Sequence, residues 1–274
     1  MKNEKPMIGA AMKAERLVEY QAWLIEGQRD LEIQNPANAE FLDIGWQAQA
    51  AEIRDILDGY TGRLGIHGPY EGLVLNARDR RVQALVAERY RQALDFGAAI
   101  GASHMVIHSP FIFLGDSFGP HAPNSPRSEE QIGYAHQTLE TVLPLAVEID
   151  CTLVIETILD RNTGPLLQLV RSFESDYVRL SLDTGHAFCA HCNGGPSPDQ
   201  WVRDGGALLE HLHLQDTDGL SDRHWLPGQG RINWYALFEA LAALDHQPRL
   251  VLEVNSQANL LDGARWLAEQ GFVL

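Results

Sequence analysis

The chain has 274 residues, 45% of them hydrophobic, and a formal net charge of -16 at pH 7. That length is enough for one large folded unit spanning residues 1–274, and no apolar run approaches the roughly 18 residues that cross a bilayer, so no membrane partner is expected. A surface this acidic repels polyphosphate backbones, which proteins hold through basic patches, and it draws in metal cations.

In chain order, residues 7–12 (MIGAAM) read as a first strand, followed by helical periodicity over 14–28. A second strand is expected at 39–46 (AEFLDIGW), with its helix at 48–60. The third, 64–70, places His67 just before Pro69, and a long helix over 79–100 stops at Gly101. A fourth strand, 104–111 (HMVIHSPF), ends at His108, again before a proline. The Gly-, Pro- and Ser-rich connection at 109–127 is long enough to suggest a functional or mobile loop. One helix is expected at 128–149, then a fifth strand, 152–157, ending at Glu156, and a short helix at 165–174. The sixth strand, 178–186 (VRLSLDTGH), carries Asp183 and His186 at its end, with a loop at 187–197 and a helix near 198–209. A seventh strand opens at His211. After its helix at 233–244 come an eighth strand, 249–255, and a last helix, 257–270. Eight strand-then-helix units without a break in composition argue an α/β fold made of a single parallel (β/α)8 barrel.

Three cysteines, Cys151, Cys189 and Cys192, cannot all pair, which suits a reducing, cytoplasmic setting. The C-x-x-C of Cys189 and Cys192 has no second pair to complete a zinc knuckle. The charged start MKNEKPM leads into a short strand rather than the apolar core of a signal peptide.

In such a barrel the C-terminal strand ends form the active face. Six of the eight expected strands end there in a metal-capable or acid–base group: His67, His108, Glu156, Asp183 with His186, His213, and Glu253. Glu156, Asp183, His213 and Glu253 make a mixed oxygen and nitrogen shell that suits Mn, Mg, Co or Zn. Glu156 and Glu253 approach from different sides of the barrel, so they are placed to take a proton from a substrate carbon and return it. The stretch 211–224 adds Asp216, Asp218, Asp222, Arg223 and His224 in a loop after the seventh strand, a further candidate metal and anion site. Trp225, beside His224, is the aromatic residue favoured for substrate contact, whereas Trp46, Trp201 and Trp234 read as packing. His104, His121, His136, His191, His211 and His246 read as ordinary polar residues.

The pieces HGPY (67–70), VIHSP (106–110), VIET (154–157), LDTGH (182–186), HLHLQD (211–216), DRH (222–224), GQGRI (228–232) and LVLEVN (250–255) together resemble the xylose isomerase-like TIM-barrel superfamily. That superfamily holds sugar isomerases and epimerases together with endonuclease IV. For the isomerase and epimerase members the resemblance implies one metal on residues matching Glu156, Asp183, His213 and Glu253, with the two glutamates as proton-transfer pair. His186 and Arg223 would touch substrate oxygens. Gln215 departs from the lysine that many sugar members carry there.

For endonuclease IV the resemblance implies three zinc ions, and this chain matches each ligand, adding His67, His108, His186, Asp222 and His224. Against a nucleic-acid substrate stand the GAAM turn, Ile158 to Arg161 after VIET, Glu71 after HGPY, and the acidic balance. The leading expectation is a metal-dependent isomerase or epimerase of a small sugar, polyol or keto-sugar, with His67, His108 and His224 also orienting substrate. The alternative is a multinuclear zinc phosphoester hydrolase. A non-catalytic binding protein and a homo-oligomer stay open.

Overall fold

The structure, a computed structural model, describes residues 5–111 and 126–274. Most of the long connection read at 109–127, with His121, and residues 1–4 of the charged start lie outside the described residues. Eight parallel strands close into a barrel in chain order: β1 Gly9–Met12, β2 Leu31–Ile33, β3 Leu64–His67, β4 His104–His108, β5 Thr152–Glu156, β6 Val178–Asp183, β7 Leu209–Leu214 and β8 Arg249–Leu252. The helices wrapped around it are α1 Leu17–Gly27, α2 Gln47–Ile56, α3 Arg80–Ile100, α4 Pro126–Glu140, α5 Leu143–Glu148, α6 Thr163–Ser172, α7 Thr184–Cys192, α8 Pro198–Gly205, α9 Trp234–Ala242 and α10 Leu260–Glu269. No helix among the described residues is long and apolar enough to cross a membrane.

Strand alternation sorts the barrel into two environments. Outward-facing Leu31, Ile33, Ile66, Met105, Ile107, Leu153, Ile155, Leu182, Leu212 and Leu252 join the helices in one hydrophobic core. Inward positions differ. Ala11, Val106, Val154 and Val251 are fully buried yet stand apart from that core, and between them the lumen carries Glu32, His104, Ser181, His211 and His213, all with no exposed surface. Barrel lumens of this kind are usually filled by branched aliphatic layers. Here a column of polar side chains runs up the axis to the C-terminal face.

Three expectations are corrected. The second strand is Leu31–Ile33, not 39–46; Ala39–Asp43 is a 3-10 turn, opened by Asn38, whose Oδ1 accepts from Glu40 N at 2.9 Å. The helix expected at 128–149 breaks between Glu140 and Leu143, because Pro144 starts a new helix. Strand β6 stops at Asp183, and the segment read as its end and the first part of the loop, Thr184–Cys192, is the helix α7, with His186 in its first turn; the loop proper is 193–197.

Candidate active site and metal centre

Asp183 ends β6 and caps α7 at once, since its Oδ1 accepts from the His186 backbone N–H at 2.6 Å. The same oxygen accepts from Gln215 Nε2 at 3.1 Å, which leaves Oδ2 buried and without a hydrogen-bond partner among the described residues. Glu253, just past β8, accepts from Gln34 Nε2 at 2.6 Å on Oε1 and turns Oε2 toward His213 Nδ1, 3.3 Å away. Glu156, at the end of β5, lies 2.6 Å from the same Nδ1 through Oε1, while its Oε2 is buried without a hydrogen bond among the described residues. His213 Nε2, the other ring nitrogen, faces Glu32 Oε1 at 3.0 Å. Each side chain is therefore anchored through one polar atom and presents another, and ligand atoms of Glu156, Asp183, His213 and Glu253 all lie within 4.8 Å of one another. Unpartnered carboxylate oxygens with an imidazole nitrogen in so small a space fit a divalent ion.

Two smaller groups flank this centre. His67, His108 and Glu156 form one: Glu156 Oε2 is 3.7 Å from His67 Nε2 and 3.4 Å from His108 Nε2. His67 Nδ1–H donates to Gly68 O at 2.8 Å, which aims Nε2 at the glutamate. Tyr70 stacks on His108 with centroids 4.2 Å apart and stands part exposed at the rim. His186, Asp222 and His224 form the other, with Asp222 Oδ2 3.2 Å from His186 Nε2 and 2.8 Å from His224 Nε2. Gln215 ties the two sides together. It donates to Asp183 Oδ1 and, at 2.6 Å, to Asp222 Oδ1, and accepts from His224 N at 3.1 Å. Its amide fits only because residue 185 is glycine: a Cβ there would lie 2.2 Å from the Gln215 side chain.

Electrostatics follow from burial against charge. Burial raises a carboxylate, yet His213 and neighbouring imidazoles outweigh it and hold Glu156 and Glu32 well below the usual range. Burial also opposes protonation of His213, but Glu253, Glu32 and Glu156 lift it well above 6.5. His186 is likewise raised against its burial, chiefly by Asp183 and Asp222. Burial pushes Asp183 up to about 7, with His186 opposing and Glu156 and Glu253 adding to the rise. His108 is driven down to about 3 by burial. Desolvation opposes protonation of His224 too, but the Asp222 bond, Glu253 and Asp183 raise it to about 9. A cation on these atoms would take the place of the protons they hold.

The structure brings together His67, His108, Glu156, Asp183, His186, His213, Asp222, His224 and Glu253. Besides Gln215, it leaves Asp216, Asp218 and Arg223 of the loop after β7 aside. Arg223 pairs with Asp218 at 2.9 Å and lies over the Trp225 ring, 5.6 Å from its centroid, so guanidinium, carboxylate and indole engage each other. Asp216 is a buried hub of the loop, not a ligand: it accepts from Thr217 N, Gly228 N, Ile232 N and Trp234 Nε1. Trp46 packs on Phe96, and Trp201 has no exposed surface, in keeping with packing roles. His104 and His211 are not ordinary polar residues, since both are wholly buried in the lumen beside Glu32. Their signal was parity: His104 shares its strand face with His108, and His211 with His213. Glu32 had no such signal once its strand was placed elsewhere, and Tyr70 and Gln34 carried none.

The family model of the xylose isomerase-like TIM barrel matches residues 32–270. A solved D-tagatose 3-epimerase-like protein superposes with a TM-score of 0.75 at 19% identity, covering 96% of each chain. The TTHB071 protein of Thermus thermophilus, soaked with ZnCl2, superposes with a TM-score of 0.71 at 26% identity over 96% of this chain and 98% of that one. Among curated sequences, an uncharacterized protein of Methanocaldococcus jannaschii is 23% identical over 73% of this chain and 67% of its own length. A D-psicose 3-epimerase of Enterocloster bolteae is 29% identical over 43% of this chain and 38% of its own. With most of its length matched by the model and its eight strands closed in the corresponding barrel, the chain belongs to the xylose isomerase-like TIM barrel family.

Proposed function

We propose that this chain is a divalent-metal-dependent isomerase or epimerase of a small sugar, polyol or keto-sugar. The observation that carries the proposal is the meeting of Glu156, Asp183, His213 and Glu253 at the C-terminal face, each held through one atom and presenting another. Mn, Mg, Co or Zn would be held by these four, and the bound ion would polarise a substrate carbonyl or hydroxyl. Glu156 and Glu253 then act as the proton-transfer pair, one taking a carbon-bound proton and the other returning it. His67, His108, His186 and the Tyr70 phenol line the same face and are placed to orient substrate hydroxyls. Arg223 joins them only by leaving Asp218. The epimerase named among the relatives and the epimerase-like protein among the similar folds support a carbohydrate substrate.

The test is deuterium exchange in D2O on a panel of ketoses, followed at the substrate C–H by NMR. The native chain should incorporate solvent deuterium with at least one of them, and Glu156→Gln and Glu253→Gln should each abolish it. Retained exchange in both variants would remove the glutamates from proton transfer.

A second reading is favoured by the two flanking groups, His67–His108–Glu156 and His186–Asp222–His224. Three ions held side by side would suit a phosphoester hydrolase whose nucleophile is water activated between metals. In that case His67→Ala and His186→Ala each lose zinc by elemental analysis. If bound metal is unchanged in both, this second reading fails and the histidines are substrate contacts.

A further inference from the structure

Below the centre lies a second group in the lumen, joined to it through the Glu32–His213 contact, whose two further histidines neither reading uses. Glu32 from β2, His104 from β4 and His211 from β7 have no exposed surface, and their ligand atoms lie within 4.8 Å of one another. Glu32 Oε2 is 3.3 Å from His211 Nε2 and 3.8 Å from His104 Nε2. Neither ring nitrogen of His104 has a hydrogen-bond partner among the described residues, and neither does His211 Nε2. Buried imidazole nitrogens are seldom left so, because each gives up its bond to water on burial.

We infer that Glu32, His104 and His211 form a second, deep cation site inside the barrel, taking zinc or a similar divalent ion. The donor atoms are pre-aimed. His211 Nδ1 is 2.8 Å from Ser181 Oγ, which turns Nε2 inward in the way outer partners orient metal-binding histidines. Glu32 faces His213 Nε2 with both oxygens, Oε1 at 3.0 Å and Oε2 at 3.2 Å, and Oε2 also lies 3.3 Å from His211 Nε2, so the carboxylate reaches both groups. Tetrahedral zinc with bonds of about 2.0–2.1 Å sets its ligands about 3.3 Å apart; Glu32 Oε2 meets that spacing to His211 Nε2 at 3.3 Å and is 3.8 Å from His104 Nε2. Two imidazole nitrogens with one carboxylate select zinc-like ions over magnesium or calcium, which prefer all-oxygen shells.

The backbone makes room for this arrangement. The His104 ring lies over Gly65 on the neighbouring strand, where a Cβ would come within 2.0 Å of its Nε2. Any other residue at 65 would push that ring off Glu32. Arg249, paired in register with His211, is a cation that bears on His104. The Glu32 carboxylate offsets that charge and gives an incoming divalent ion its anionic ligand.

The deep site stands apart from the proposed function, and its test is built to fail separately. Crystals of the native chain, grown with zinc and measured at the zinc absorption edge, should show an anomalous peak enclosed by Glu32, His104 and His211. Solutions freed of loose metal should contain one zinc fewer per chain in His104→Gln and in His211→Gln than in the native protein. Glu156→Gln should keep the deep peak while losing zinc at the upper face. Absence of the peak in native crystals, as a proton or a water in that position would give, overturns the inference even if the variants fail to fold. Unchanged zinc content in both folded histidine variants overturns it as well.

Discussion

Gln215 holds the upper face together, and a missing side chain on the neighbouring helix α7 makes that possible. Its amide bridges Asp183, Asp222 and the His224 backbone while lying against Gly185. Gly185→Ala places a Cβ 2.2 Å from that amide, so Gln215 has to swing away. Alanine is the better helix former by about 1 kcal/mol, so α7 itself is not weakened by propensity. The expected outcome is a folded protein whose zinc affinity falls about 10- to 100-fold, the usual cost of losing an outer partner of a metal ligand. A chelator competition titration measures it, and unchanged affinity would make Gln215 a bystander. At this scale the sequence showed the outer ligands well, because an acid or histidine at a strand's C-terminal end stands out against aliphatic neighbours. It hid Glu32, whose strand was placed elsewhere, and marked His104 and His211 only by parity, deep in strands where aliphatic filling is the default expectation.

Among the elements, the long connection between β7 and α9 is shaped by Asp216. Its backbone pairs with Trp225 in an antiparallel bridge, and its fully buried carboxylate collects donors from Thr217, Gly228, Ile232 and the Trp234 indole at 2.9–3.2 Å. Gly230 is needed for this, since a Cβ there would fall 2.3 Å from Asp216 Oδ1. Asp216→Ala leaves those donors buried without an acceptor, at about 1–3 kcal/mol each for the groups that stay dry. The expected loss is on the order of 3–5 kcal/mol in urea unfolding, together with release of Asp222 and His224 from the site. Asp216→Asn keeps one acceptor oxygen for two of the four donors and should lose less than Asp216→Ala; equal losses would show that both carboxylate oxygens are required together. The helices were legible from their apolar period and their ends, as Asp79 and Gly101 around α3 illustrate. Strand β2 was not. Three residues are too few to show an alternating pattern, and AEFLDIGW downstream offered a longer apolar run that Asn38 instead turns into a 3-10 coil.

Across the whole molecule, metal and protons compete for the same atoms, which ties stability to pH. In the metal-free chain His213 and His186 are raised well above 6.5 and His224 to about 9, so each contributes stability that is complete below 6.5 and fades as pH rises through its folded value. Asp183, raised to about 7, binds its proton more tightly folded than unfolded, so it withdraws stability as pH rises from its ordinary value of 3.8 toward 7. Glu156 and Asp222 are held low and stay ionised throughout the neutral range, adding no slope there. These raised groups therefore weaken the metal-free protein between about pH 6 and 8, and loss of their protons frees ligands for an ion. His104 and His108, held down to about 3 by burial, act the other way, restoring stability as pH rises through 6.5. The gap in Tm between loaded and stripped protein should widen as pH rises over that interval. An ion at 100 times its Kd adds about 2.7 kcal/mol, which for a chain of this size is a rise of about 5–10 °C. Differential scanning fluorimetry with and without chelator at about pH 6, 7 and 8 measures the gap. A gap that is constant or narrows with pH would mean that the ion does not displace the protons now held by His213 and Asp183, and would separate the metal centre from the imidazoles that the barrel places there.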